Sequence, residues 1–275
     1  MTVDLSALVG FGLLFDPDTF EIKPQPGYEF NRSARHFAEV AAVFSERDAL
    51  PPERVVFYLE HLAVCPAQED EVLVKKTLAY GFTILPPLRI GREFNKTHGH
   101  SHPVVSGYDF SFPEIYAQLS GRMWLLLQKH HADNLAELED CVLIKMKPGD
   151  VAVIPPNYAH MQINPSDKHP SVTAGLYSSR MKPEFDFYKQ KQGFAYRLFA
   201  SGDSYEAQFN PSYLSVPPLR TLEKPAGTPF AWRESARPVW VSLIQHPETY
   251  TFLSDPGATA REFDLFDAIE ESRKL

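Results

Sequence analysis

The middle of the chain is a succession of short apolar runs broken by turn residues. LAYGFTIL (78–85), MWLLLQ (123–128), CVLIKM (141–146), VAVIPP (151–156), HMQIN (160–164) and SVTAGLYSS (171–179) are rich in β-branched, aromatic and alternating positions, and KPGD (147–150) has tight-turn composition. Strands read from Val72 to about Ala200 predict a β-sandwich or barrel, because so many short strands bury their apolar faces by stacking two sheets or closing one. RVVFYLEHL (54–62) predicts a further strand. Residues 33–44 predict a helix, since Ala34, Phe37, Val40, Ala41 and Phe44 recur at helical spacing behind an N-cap at Ser33. Residues 1–31 show no sustained period, 201–255 are proline-rich and read as extended, and TAREFDLFDAIEESRKL (259–275) predicts a terminal amphipathic helix. The expected organisation is an N-terminal helix and strands packing on the core (1–70), an all-β domain (71–200) and a C-terminal extension ending in a helix (201–275).

With 275 residues, 44% of them hydrophobic, the chain can bury one sizeable core. A net charge of −8 argues against a nucleic-acid surface but leaves room for a locally positive site that takes an anionic substrate. Cys65 and Cys141 stand alone, without a CxxC pair, and read as small buried hydrophobes under reducing conditions. The first residues are apolar yet carry Asp4 and no basic segment, and no run reaches the ~18 apolar residues of a membrane span. A cytoplasmic protein without membrane partners is the expectation.

One stretch changes the picture. KTHGHSH (96–102) places His98, His100 and His102 at alternate positions, although the whole chain has only 10 histidines. On a strand they would share one face, where charged imidazoles repel; a divalent metal would hold them neutral. A solvated histidine-rich loop fits this spacing equally well. Glu114 follows at the start of another strand and His160 on a third segment. Three imidazoles and a carboxylate make a good ligand set for a divalent transition metal, with coordination positions left open for a substrate.

The order of these residues resembles the cupin superfamily. His100 and His102, then Glu114, six residues and Gly121 match its first motif; Gly149, five residues, Pro155, then His160, three residues and Asn164 match its second. Asn157 stands at a position usually held by glycine, and PVVSGYDFSFP (103–113) reads as a loop inserted between the second histidine and the glutamate. More narrowly, YGFTILPPLRIGREFNKTHGHSH, EIYAQLSGRMWLLLQ, KPGDVAVIPPNYAHMQIN and KQGFAY are similar to the cupin-type glucose-6-phosphate isomerases of archaea and some bacteria. That resemblance implies a double-stranded β-helix, a cytoplasmic homodimer and a place in glycolysis or gluconeogenesis. It also implies one divalent ion per subunit, iron(II) favoured over zinc, manganese or nickel, held by His100, His102, Glu114 and His160. Glu114 would carry a proton between C1 and C2, or act as ligand only beside a direct hydride shift, with Tyr116 or Tyr158 assisting, and Thr83, Thr97, Gly99 and Tyr177 would contact the phosphosugar.

The match is uneven at the phosphate end. Phe185 and Phe187 stand where the family places a histidine and a tyrosine, and phenylalanine donates nothing to a phosphate oxygen. Arg180, Lys182 or Tyr188 would then compensate, or the substrate would differ. His98 reads as an outward-facing residue, with a substrate contact as the alternative; His130 and His131 read as an exposed hairpin tip. Tyr116, Gln128 and Tyr158 suit either substrate contact or plain packing, and Arg92 and Lys96 read as surface charges. Another cupin enzyme (a different sugar isomerase or an iron oxygenase) and a non-catalytic sugar-binding cupin remain open beside the isomerase.

Overall fold

The computed structural model describes residues 1–202, 204–223, 225 and 237–259. Strands β1 (Val3–Asp4), β2 (Leu13–Asp16) and β3 (Glu21–Pro24) form a small antiparallel sheet beside helix α1 (Ser6–Val9). The remaining strands are β4 (Glu29–His36), β5 (Val55–Val64), β6 (Leu78–Leu85), β7 (Arg89–Ile90), β8 (Glu93–Lys96), β9 (Glu114–Ser120), β10 (Met123–His130), β11 (Leu138–Met146), β12 (Val151–Ile154), β13 (Tyr158–Asn164), β14 (Ser171–Ser178), β15 (Tyr196–Ser201), β16 (Ser204–Phe209) and β17 (Arg220–Leu222). They build two sheets, one ordered β12-β9-β14-β6-β5-β4, the other β16-β15-β8-β13-β10-β11-β17 with β7 paired to β8. This is the all-β, two-sheet architecture expected.

Side-chain alternation explains how the first sheet serves two masters. Tyr80, Phe82 and Ile84 of β6, Ile115, Ala117 and Leu119 of β9, and Val172, Ala174 and Leu176 of β14 point into one apolar cluster. Leu13 and Phe15 of the small sheet cover that cluster, together with Trp240 and Leu243 of the helix Val239–Gln245 and Phe252 and Leu253 of the helix Thr251–Ser254. The intervening positions, Gly81, Thr83, Glu114, Tyr116, Gly175 and Tyr177, face inward onto a cavity between the sheets. Burying an aromatic such as Trp240 there contributes on the order of 2–3 kcal/mol.

Four expectations are corrected. The helix predicted over residues 33–44 is a strand for its first part: Ser33, Ala34 and Arg35 pair with Leu59, Tyr58 and Phe57. Only helix α2 (Phe37–Val40) and a 3-10 turn (Ala41–Val43) follow, entered through a capping box in which the His36 N–H donates to Glu39 at 2.7 Å. Phe37, Val40 and Phe44 are buried together as their spacing required, so sheet pairing overrode local propensity only upstream of them. Val72 begins no strand; it lies in helix α3 (Ala67–Lys76), which carries Glu69 and Asp70 in its first turn and Lys75 and Lys76 in its last, complementing the helix dipole. Residues 1–31, expected to be irregular, contain α1, β1 to β3 and the start of β4, and residues 239–245 and 247–254 are helical rather than extended. The predicted terminal helix falls on residues 260–275, apart from its first residue, and lies outside the described residues. Among the described residues, no helix is long and apolar enough to cross a membrane.

Candidate active site

Strand β8 ends at Lys96, and the histidine run beyond it is not regular strand. Gly99 breaks the extension with φ +76°, and a Cβ there would lie 2.6 Å from the Phe194 ring, so only glycine fits. His100 is then fixed by its main chain: its N–H donates to the His160 carbonyl at 3.1 Å, and the His160 N–H returns the bond at 2.9 Å. β13 thereby carries His160 beside His100, while β9 brings in Glu114.

One ligand atom from each of His100, His102, Glu114 and His160 lies within 4.8 Å of the others. His102 and His160 bring Nε2 to 3.3 and 3.2 Å from Glu114 Oε2, without hydrogen-bond alignment. His102 Nδ1 lies 2.7 Å from the Phe112 carbonyl, which can only accept, so the ring proton sits on Nδ1 and the Nε2 lone pair faces Glu114. His102 Nε2, Glu114 Oε2 and both ring nitrogens of His160 are buried without a hydrogen-bond partner. Orphaned buried acceptors converging on one point are costly unless a cation sits among them. Burial and the neighbouring imidazoles push His100 well below its ordinary pKa, and burial holds His160 low as well. Burial acts to raise the Glu114 carboxyl, but the adjacent His102 and His160 outweigh it, leaving the carboxylate favoured.

The cluster opens through His100 and Glu114 onto a cavity of about 530 Å³. Gly175 keeps the space in front of Glu114 clear: a Cβ there would come within 3.2 Å of Glu114 Oε1. Tyr116 packs edge-on to His160, with ring centroids 5.6 Å apart. Burial raises the phenols of Tyr116 and Tyr177, the latter to about 12, with the Glu114 charge adding to both. Both stay protonated donors at neutral pH.

Thr83, Thr97, Gly99 and Tyr177 all line the cavity, together with Glu114 and Tyr116. Tyr158 does not: it shares the His160 face of β13 but packs beyond the cavity with Tyr116, Leu125 and Leu127, and its hydroxyl turns to Asp140, to which it donates at 2.9 Å. Gln128 is likewise turned away, donating to Tyr213 and accepting from the Ala195 N–H. His98 is buried rather than outward-facing, lines the cavity, and stacks on Phe185 with centroids 5.0 Å apart. His130 is half-buried against Tyr188, and only His131 sits at an exposed tip. Lys96 is no surface charge; it is buried in an ion pair with Glu93. The suggested phosphate partners lie elsewhere: Arg180 donates to the Ser254 carbonyl, Lys182 is exposed outside the cavity lining, and Tyr188 bonds His130. Arg35, His61 and Lys189, none of them singled out by the sequence, line the cavity instead. Arg35 was hidden by the helical reading of residues 33–44, whereas alternation from Phe57 through Leu59 could have placed His61 on the inner face.

The inserted loop has a structural partner. Asn157 adopts φ +65°, as its glycine-like position demands, and its side chain accepts from the Ser111 N–H at 2.8 Å and donates to the Asp109 carbonyl at 3.1 Å. The residue that departs from the motif therefore anchors the loop carrying Phe112, the acceptor for His102.

The family model for glucose-6-phosphate isomerase (GPI) matches residues 34–214. The chain belongs to the glucose-6-phosphate isomerase family. It is 30% identical over 206 residues to the glucose-6-phosphate isomerase of Thermococcus gammatolerans, covering 74% of this chain and 96% of that one. It is 28% identical to the Thermococcus litoralis enzyme over 136 residues, 50% of this chain and 64% of that relative, just under two thirds of its length. Among solved structures it is similar to an oxalate oxidase in complex with glycolate (14% identity, 40% of this chain, 46% of that one, TM-score 0.30) and to hazelnut vicilin (8%, 57%, 34%, 0.34). Likenesses that low carry no argument. The span matched by the isomerase family model includes the whole His/Glu cluster as well as Arg35 and His61.

Proposed function

We propose that the protein interconverts glucose 6-phosphate and fructose 6-phosphate, using one divalent metal ion held by His100, His102, Glu114 and His160. The observation that carries this reading is the convergence of four donors, three buried and His100 half-buried, several without partners, on a sugar-sized cavity in a member of this family. Three imidazoles and a carboxylate suit iron(II), manganese(II), nickel(II) or zinc(II), and the resemblance favours iron. When bound, such an ion would polarise the substrate carbonyl and stabilise the negative charge that develops on oxygen.

The protein's own groups account for the proton traffic. Glu114, held as a carboxylate, takes the C2 proton of the open-chain aldose and returns it to C1, while the hydroxyl proton on O2 passes to O1. No atom is gained or lost, and the aldose becomes the ketose. Tyr116 and Tyr177, kept protonated, donate hydrogen bonds rather than abstract protons. The cavity wall formed by Phe57, Leu59 and Phe185 excludes water from the enediol. A homodimer and a cytoplasmic location accompany this reading by resemblance. The test is a coupled isomerase assay on metal-reconstituted protein with a panel of phosphorylated and free sugars. Fructose 6-phosphate should be turned over fastest. Turnover of a different sugar, oxygen consumption, or sugar binding without turnover would replace the proposal with one of the alternative cupin activities.

A further inference from the structure

The cavity's charges are unevenly satisfied. Three carboxylates line it: Glu39 accepts from the His36 N–H, Glu60 accepts from Arg32 at 2.7 Å, and Glu114 belongs to the metal cluster. Two permanent cations line it as well. Lys189 stands 3.8 Å from Asp186, whereas Arg35 makes one described hydrogen bond, from Nη1 to the Ala34 carbonyl at 3.2 Å. A guanidinium carries five donors, so most of its capacity remains unassigned among the described residues.

Register places that capacity. Arg35 is opposite Phe57, and Phe57, Leu59 and His61 alternate onto the inner face of β5. Leu59 is opposite Thr83, and His61 is opposite Gly81. Tyr177, opposite Glu114 on the β9–β14 ladder, sends its hydroxyl to within 3.2 Å of His61 Nδ1. The line from the metal cluster to His61 is thus one tyrosine side chain long. The Tyr177 hydroxyl can donate to Nδ1 of the tautomer that carries its proton on Nε2, which leaves Nε2–H as a further donor. Burial, and then the nearby Arg35 charge, hold the His61 imidazole in its neutral form. On the opposing wall, Phe185 covers His98 and contributes no donor.

We propose that Arg35 and His61, delivered by β4 and β5 and working with Thr83 and Tyr177, form the subsite that takes the terminal phosphate monoester of the substrate. This deepens the isomerase reading and rests on its phosphosugar substrate. A planar guanidinium offers two parallel donors to a phosphate dianion, and the charge-assisted bonds replace those the phenylalanine wall cannot make.

The test uses the metal-loaded full chain with Arg35→Ala, Arg35→Lys, His61→Ala and, as control, Lys182→Ala. It measures steady-state kinetics with fructose 6-phosphate and calorimetric binding of inorganic phosphate. Arg35→Ala should raise KM and the phosphate Kd by roughly tenfold to a hundredfold while kcat stays within about threefold. Arg35→Lys should recover part of the loss, His61→Ala should raise both by a smaller factor, and Lys182→Ala should change neither. Unfolding midpoints identify any variant that fails to fold, and the lysine variant then carries the comparison. Wild-type turnover with KM unmoved by Arg35→Ala overturns the subsite and leaves the isomerase standing. Phosphate binding that depends on Arg35 in a protein that isomerises no sugar phosphate supports the subsite and overturns the isomerase. Absence of both turnover and phosphate binding overturns both.

Discussion

Replacing Lys96 with methionine isolates the cost of a buried charge at the strand end that leads into the His/Glu cluster. Lys96 and Glu93 are 4% and 1% exposed and pair with each other at the end of β8, immediately before the histidine run. Burial lowers the Lys96 pKa against the pull of Glu93; burial also acts to raise Glu93, but Lys96 outweighs it and holds the carboxyl down. Methionine retains the stem that packs near the Phe44 ring, where the ammonium now sits 4.4 Å from the centroid. The Glu93 carboxylate, however, would lose the ammonium and keep Ser45, whose N–H donates to it at 2.5 Å. Stranding one member of a buried pair costs about 3–5 kcal/mol. The double variant Glu93→Gln/Lys96→Met removes the charge and keeps an acceptor for Ser45, so it should return to within about 1–2 kcal/mol of wild type. Without Lys96, burial lifts the folded Glu93 pKa above its unfolded value, so the single variant should regain stability as pH falls from 7 to 5. Urea unfolding at both pH values measures all three proteins. A single-variant loss below about 1 kcal/mol, or a double variant no better than the single, would refute the reasoning.

Other expectations follow from the same geometry. His160→Ala should strip most bound metal and His98→Ala nearly none, as measured by elemental analysis; equal losses would place His98 in the ligand set. Gly175→Ala needs no backbone strain but brings a Cβ to 3.2 Å from Glu114 Oε1, so it should lower kcat by roughly tenfold with the unfolding midpoint nearly unchanged; undiminished kcat would show that the carboxylate has room to move. His130, whose pKa burial lowers to about 4, stays neutral when folded but protonates near 6.5 when unfolded. The unfolded chain then binds more protons in that window, so stability falls as pH drops from 6.5 towards 4. Metal-free wild type should lose about 2 kcal/mol more than His130→Gln between pH 7 and 4.5, and parallel profiles would contradict this.

The strands of the β domain were legible because each alternates or runs apolar between turn residues, and alternation on β6, β9 and β14 alone assigns Tyr80 and Phe82 outward and Gly81 and Thr83 inward. The convergence of the His/Glu cluster was legible because its residues sit at motif spacing even though a loop separates His102 from Glu114. What local pattern could not reveal was pairing at a distance. Ser33 to Arg35 satisfy their main chain through β5, a partner more than twenty residues away, and this turned a helical pattern into strand and put Arg35 into the cavity. Alternation put Tyr158 correctly on the His160 face of β13, but its burial with Tyr116 and its bond to Asp140 on β11, which keep it out of the cavity, depend on contacts that no spacing rule exposes.

The most direct measurement is turnover of fructose 6-phosphate during anaerobic titration of metal-free protein with iron(II), for wild type and Glu114→Gln. Wild-type turnover should rise in proportion to occupancy and level off at one ion per chain, while Glu114→Gln at equal occupancy should be at least about a hundredfold slower. Turnover independent of metal occupancy, or a Glu114→Gln protein as fast as wild type, would contradict the account.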